Sequence, residues 1–293
     1  MRDTVSIRVC RSEPFSLTAA LEEASLVPDL RALATHRAAG VIWLQLELVG
    51  TKAFLPDGRM LPPRRTNMLY APVASGKHDE KGVGPNQVFF TCEELPFKEV
   101  MPRWCEVRGR LQAAINMILG LRYAPARFAE NNLLMAVGAA EALHRGLDSE
   151  EKSISATELK KIRKAMLGQV PEEYRGRFKQ AIRNSLTLRD RLLALAARPD
   201  QQAIGQLVPD VEHLAKRTTR PRNDFAHGGK TPDHSIDELI AIVDTTSAVV
   251  ILNVLHELGL PVERQRELVQ DLPRLRMICR KAREWLMPQD GGS

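Results

Sequence analysis

Apolar and polar positions alternate differently in the two parts of this 293-residue chain. Before residue 96 the periodic stretches are short. "TVSIRVC" (4–10) alternates and is rich in β-branched residues, which predicts a strand. "LTAALEEASLVPDLRALATHRA" (17–38) has helical spacing that Pro28 should interrupt. "GVIWLQLELVG" (40–50) predicts a second strand, with Ile42, Leu44, Leu46 and Leu48 on one side. Pro56-Asp57-Gly58 follows as a turn signal of the hairpin kind. Residues 74–86 are Gly-rich and polar and predict a mobile loop holding His78. "QVFFT" (87–91) resembles one more strand.

Beyond residue 96 the period becomes helical and stays so. Residues 100–123 predict one long helix starting near Pro102, and residues 127–147 a second that ends near Gly146. Ser155 with Glu158, and Ser235 with Glu238, have the spacing of capping boxes. Pro171 suits a first helical position. Further helices are expected within 188–197, 203–218, 235–259 and 261–286. No internal repeat has solenoid spacing. The fold class expected is α+β, a small β-containing module (1–95) followed by an all-α bundle (96–288). Residues 289–293 read as a disordered tail or cloning scar.

Composition changes this picture little. Apolar residues make up 44% and charged residues 27% of the chain, as in soluble globular proteins. No run reaches the roughly 18 consecutive apolar residues of a membrane span. The N-terminus has no apolar signal-peptide core. The four cysteines form no C-x-x-C pair, so neither a zinc site nor a disulfide framework is expected. A cytoplasmic setting with no membrane partner follows as the expectation. Charge is more telling. Residues 151–230 hold 17 Lys and Arg against 9 Asp and Glu, or +8, while the whole chain carries +6. The rest is therefore −2, and this asymmetry suggests an anionic partner such as nucleic acid or, equally, a solvated helical surface.

The basic region ends in "RTTRPRNDFAHGG" (217–229). A helix is expected to stop there, at the arginines and Pro221. Cutting RNA without a metal needs a base for the ribose 2′-OH, an acid for the leaving 5′-oxygen and a cation for the phosphorane. Histidine titrates near neutrality and suits the proton work. Arginine is always charged and grips two phosphate oxygens at once. Arg222, Asn223 and His227 supply these types within six residues, with Asn223 placed to hold either group. Arg222 and His227 are five apart, about 140° around a helix, so they share no strict face. A tightened turn, or two chains meeting across a twofold axis, could bring them together. A basic turn that only ties two helices together is the plain alternative.

"RPRNDFAHGG" resembles the signature of HEPN domains, in which Arg, a polar residue and a spaced His follow a helix. With the long apolar helix behind it, it is most similar to the Apea-like HEPN group of prokaryotic anti-phage proteins. The resemblance covers about residues 100–285 and makes the helical part an all-α HEPN-type bundle. It implies a metal-independent endoribonuclease that works as a homodimer, an anti-phage defence or toxin effector. Its partners would be RNA, with tRNA among the candidates, and a phage-derived trigger or antitoxin. Arg222 would grip phosphate, Asn223 orient it and His227 carry protons; no cofactor is implied. Two features depart from the pattern. The N-terminal module is shorter than that group leads one to expect, and Arg220 also has an allowed spacing to His227, which makes it a rival to Arg222. Asp224 is a supporting candidate, and Lys216, Arg217 and Lys230 are candidates for RNA contact. The other readings are a non-catalytic HEPN adaptor that binds RNA or dimerises, and a HEPN toxin silenced by nucleotidyl transfer from a partner.

Glu141 is also a candidate. It follows Leu134 and Val137 at helical spacing, which sets a carboxylate on an apolar face that wants a partner, unless it is a partly exposed rim residue. HEPN helices resemble this stretch in carrying such a glutamate, and the motif's Arg or His would be the partner. Elsewhere, "GVGPN" lacks the Gly-Lys-Ser/Thr of a nucleotide loop. His144, His213 and His256 have no ligand-like neighbours, and Cys105 reads as core.

Overall fold

A computed structural model describes residues 7–41, 43–48, 55–61, 64–68, 84, 87–124, 127–147, 154–182, 184–228 and 231–287. The glycine-rich stretch with His78, Lys230 and the C-terminal tail lie outside them, apart from Gly84. The chain divides into two compact units. One is Met1–Phe89 with Arg122–Ala124, and the other is Phe90–Leu121 with Pro125–Ser293.

The first unit holds α1 (Leu17–Thr35) and a two-stranded antiparallel sheet, β1 (Leu44–Glu47) with β2 (Arg65–Met68). Ser16 caps α1 by accepting the N–H of Ala19. Pro28 does not interrupt the helix but lies inside it. A proline removes one backbone bond, and burial of Leu30, Ala32 and Leu33 on the following turns outweighs that loss. Leu44 and Leu46 of β1 are half-buried while Gln45 and Glu47 are exposed, as the alternation predicts, but Leu48 is exposed and Ile42 lies outside the described residues. The turn at Pro56–Gly58 also forms, and Gly58 takes φ +81°, a conformation glycine adopts without strain. Two expected strands are not seen. Ile7–Cys10 are exposed and irregular, and residues 4–6 of that stretch lie outside the described residues. Gln87–Thr91 are also irregular. Phe89 is buried there, its N–H donates to the Ala34 carbonyl and its ring lies 4.9 Å from that of His36, with no partner strand among the described residues.

The second unit is helical throughout. It contains α2 (Phe97–Arg110), most of α3 (Gln112–Tyr123), α4 (Ala129–Gly146), α5 (Ala156–Gly168), α6 (Glu172–Ala181) and α7 (Leu188–Ala196). It continues with α8 (Gln201–Leu207), α9 (Val211–Gly228), α10 (Ile236–Glu257), α11 (Val262–Asp271) and α12 (Pro273–Trp285). The single helix expected over 100–123 is two helices that part at Leu111. The first starts at Phe97 and keeps Pro102 in its interior. Trp104 and Val107 point inward from α2, whereas Cys105 is exposed, not core as its amphipathic helix suggested.

α10 forms the centre. Ser235 and Glu238 close its capping box with both reciprocal bonds. From Leu239 to Leu255 nearly every residue is buried, against α4, α12, α7 and α9. The helix is long and apolar enough to cross a membrane, yet 78% of that window lies inside the bundle, the setting of a core helix. Asn253, fully buried, donates from Nδ2 to the carbonyl of Leu195 at 2.9 Å. That carbonyl belongs to the last turn of α7, where helical donors run out. Asn253→Ala is expected to cost about 1 kcal/mol, because the Leu195 carbonyl is then left with backbone donors such as the Arg198 N–H, 3.4 Å away. Urea unfolding measures this, and an unchanged midpoint would refute the capping role.

Candidate functional site

α9 carries the motif. Asp210 opens the helix by accepting the N–H of His213 at 2.8 Å. The helix then runs through Pro221 to Gly228 instead of stopping at the arginines. Pro221 is buried and has no N–H, so the carbonyl of Arg217, four residues earlier, loses its helical donor.

Arg222 points to α4. Its Nη2 donates to Oε1 of Glu141 at 3.3 Å, and Nη1 donates to Oδ1 of the adjacent Asn223 at 3.3 Å. The Arg222 side chain keeps 33% of its exposure and Glu141 keeps 20%, so the pair stands at a rim. Val137, one turn before Glu141, is buried, but Leu134 is 41% exposed, so the apolar face is narrower than the sequence suggests. Among the described residues two of the five guanidinium N–H groups are used, which leaves donors for a phosphate. His227 occupies the last turn of α9, five positions beyond Arg222 and about 140° around the helix.

A different face of α9 holds the segment that follows the motif. Arg217, Arg220 and Asp224 recur at helical spacing. Arg217 pairs with Glu238 of the α10 capping box, and Arg220 pairs with Asp233. The Thr231 hydroxyl lies 3.5 Å from Asp224 Oδ2 and 2.9 Å from Nδ1 of His234. The two candidate arginines thus have different surroundings: Arg220 meets an exposed loop carboxylate and Arg222 a half-buried helical one. Arg217 is turned toward α10, Lys216 is exposed, and Lys230 is outside the described residues.

Sequence reasoning passed over His234. It is buried, and the Arg217 carbonyl released by Pro221 faces its ring, in a contact too poor for a regular hydrogen bond. A proline one turn after Arg217, with a histidine just before a capping box, was the available signal. Burial lowers the His234 pKa, with Arg217 and Arg220 adding to the effect, while the Arg217 carbonyl and Asp224 oppose it. The unfolded chain therefore binds more protons than the folded one below about pH 6.5. Stability should be full above that pH and fall as pH drops toward the lowered native value. Asp190, held by the Thr187 hydroxyl, and Asp200, held by Arg266, also sit below their ordinary value. Their contribution disappears only below about pH 4, so the two effects separate. His234→Gln should flatten the loss of urea stability between about pH 7 and 5. An unaltered slope would contradict this account.

Another cleft of the same unit is lined by Glu99, Arg103, Glu106, Arg110 and Glu257. There Arg110 and Arg198 pair with Glu257, the last residue of α10, where a negative charge opposes the helix dipole. That cluster neutralises a helix end. Among the described residues, no three His, Cys, Asp or Glu are grouped as metal ligands.

Residues 134–264 match the model of a family described as Apea-like HEPN. The match includes Glu141, Arg222, Asn223, His227 and His234. No curated protein and no solved structure matches the chain.

Proposed function

Residues 134–264 belong to the Apea-like HEPN family, and from that premise we propose that the chain is an endoribonuclease that cuts RNA without a metal. The carrying observation is Arg222, held on α9 by Glu141 of α4 at 3.3 Å, on the helix whose last turn includes His227. Glu141 and Asn223 fix the guanidinium, and its remaining donors bind the scissile phosphate. His227 takes the proton of the ribose 2′-OH, and the 2′-oxygen attacks phosphorus. The bond to the 5′-oxygen breaks, and that oxygen takes a proton from an acid. The products are a 2′,3′-cyclic phosphate and a 5′-hydroxyl.

One histidine cannot be base and acid in the same step, and Arg222 and His227 are about 140° apart on the helix. Two copies facing each other across a twofold axis would supply a pair of each. α10 lends this little support, because its apolar surface is covered within its own bundle. Ile236 and Ile240, exposed on its first turns just beyond the motif, are the better candidates for such an interface. We assign the protein to the cytoplasm, as an anti-phage or toxin effector, with tRNA among its candidate targets and a phage product or antitoxin as its controller.

The test is cleavage of RNA in EDTA, followed by analysis of the ends. Cutting should persist and leave 2′,3′-cyclic phosphates. Activity lost in chelator and restored by magnesium or manganese would overturn the mechanism. Sedimentation of the active protein tests the dimer, and a monomer cutting at full rate would refute it. An adaptor that binds RNA without cutting is the second reading, favoured if intact wild-type protein binds RNA and leaves it whole.

A further inference from the structure

α5 and α6 form a helical hairpin with no buried residue. A helix in a folded unit ordinarily buries one face, so a pair that buries none requires an explanation. The hairpin is nevertheless built. Ser155 caps α5, and the Arg163 guanidinium donates to the carbonyl of Ile182 at 2.7 Å. At its base, the Asn184 amide exchanges two bonds with the backbone of Ile154, at 3.1 and 2.6 Å, and so clamps entry to exit.

Its surface combines two chemistries. Residues 154–182 hold seven Lys and Arg against three Glu, or +4. Tyr174 and Phe178, one turn apart on α6, and Ile162 and Met166 on α5 are 40–49% exposed. Basic groups on a surface with accessible aromatic rings suit one occupant above others. Phosphates meet the Lys and Arg side chains, and unpaired bases stack on the rings. A duplex offers the phosphates but keeps its bases stacked on one another.

We infer that the α5–α6 hairpin is a binding arm for single-stranded RNA, with Tyr174 and Phe178 as its stacking platforms. The arm extends the proposed nuclease reading by supplying substrate capture apart from the Arg222 and His227 chemistry. Its binding can be tested whether or not the protein cuts.

The experiment uses the full chain carrying His227→Ala, so that RNA stays intact, and labelled oligouridine followed by fluorescence anisotropy. The added pair Tyr174→Ala/Phe178→Ala should weaken binding by about tenfold or more. The set Lys160→Ala/Lys161→Ala/Lys164→Ala should weaken it and also lower the salt slope, because fewer counterions are released. An RNA duplex should bind less tightly than oligouridine and be insensitive to the aromatic pair. Circular dichroism and thermal melting should be unchanged, since nothing substituted is buried. Should the aromatic pair disturb folding, the lysine set carries the test alone. Oligouridine affinity unchanged by either set overturns the arm. So does flotation of the chain on phosphatidylserine vesicles that the aromatic pair abolishes, or a change of oligomeric state in the aromatic pair. With His227 restored, both sets should cut a dinucleotide at the wild-type rate and long RNA more slowly. Wild type that binds through the arm and never cuts would remove the nuclease reading and leave the arm.

Discussion

His227→Ala is expected to lower RNA cleavage by about 10²- to 10⁴-fold, the usual contribution of a positioned acid or base. The loss should appear without unfolding. The neighbours Ala226 and Gly228 are exposed, a side chain added at Gly228 would meet nothing within 4 Å, and circular dichroism of the variant checks that the fold is kept. Sequencing RNA ends after induction, wild type beside variant, gives the most direct reading. Wild type should produce discrete new 5′-hydroxyl ends, and the variant none above background. Equal cleavage by both would end His227's assignment, and no cleavage by either would favour the adaptor.

Arg222→Ala is expected to cost about 10²- to 10³-fold in cleavage, comparable with removing one preorganised donor from a developing oxyanion. Unlike the histidine variant, it should also weaken RNA binding, because phosphate loses a charged two-pronged partner in the ground state as well. Arg222→Lys should rescue little, since an ammonium cannot hold Glu141 and present a planar fork together. Glu141→Gln should lie between, because the amide still accepts a bond but no longer anchors the charge. Arg220→Ala is the control. Arg220 pairs with Asp233, both side chains are about half exposed or more, and such a pair contributes little to stability. Cleavage abolished by Arg220→Ala and kept by Arg222→Ala would transfer the motif's role to Arg220.

Much of the fold is a local matter and was legible as such. Ser155 and Ser235 mark helix starts because a cap needs only a hydroxyl and the next turn. Leu44 and Leu46 alternate with Gln45 and Glu47 because a strand's faces repeat every two residues. The motif's residue types could be read because chemistry depends on side-chain identity. Other features failed for a common reason. Gln87–Thr91 has a strand's composition, but a strand also needs a neighbour, and the end of α1 meets it instead. Arg65–Met68 is polar, yet it becomes β2 because β1 lies beside it.

The sequence by itself determined the caps at Ser155 and Ser235, that the second unit is α-helical, and which residue types stand near position 222. Only the tertiary structure decided what those residues meet. Arg222 finds Glu141 across 81 residues of chain, while Arg217 and Arg220 turn to Glu238 and Asp233. It also decided that α9 continues through Pro221, because a lost backbone bond is a local cost and the packing that outweighs it comes from other helices. The apolar surplus of α10 has the same explanation. A periodic pattern says how much of a helix wants cover, and only the arrangement of α4, α7, α9 and α12 around it says that the cover comes from within.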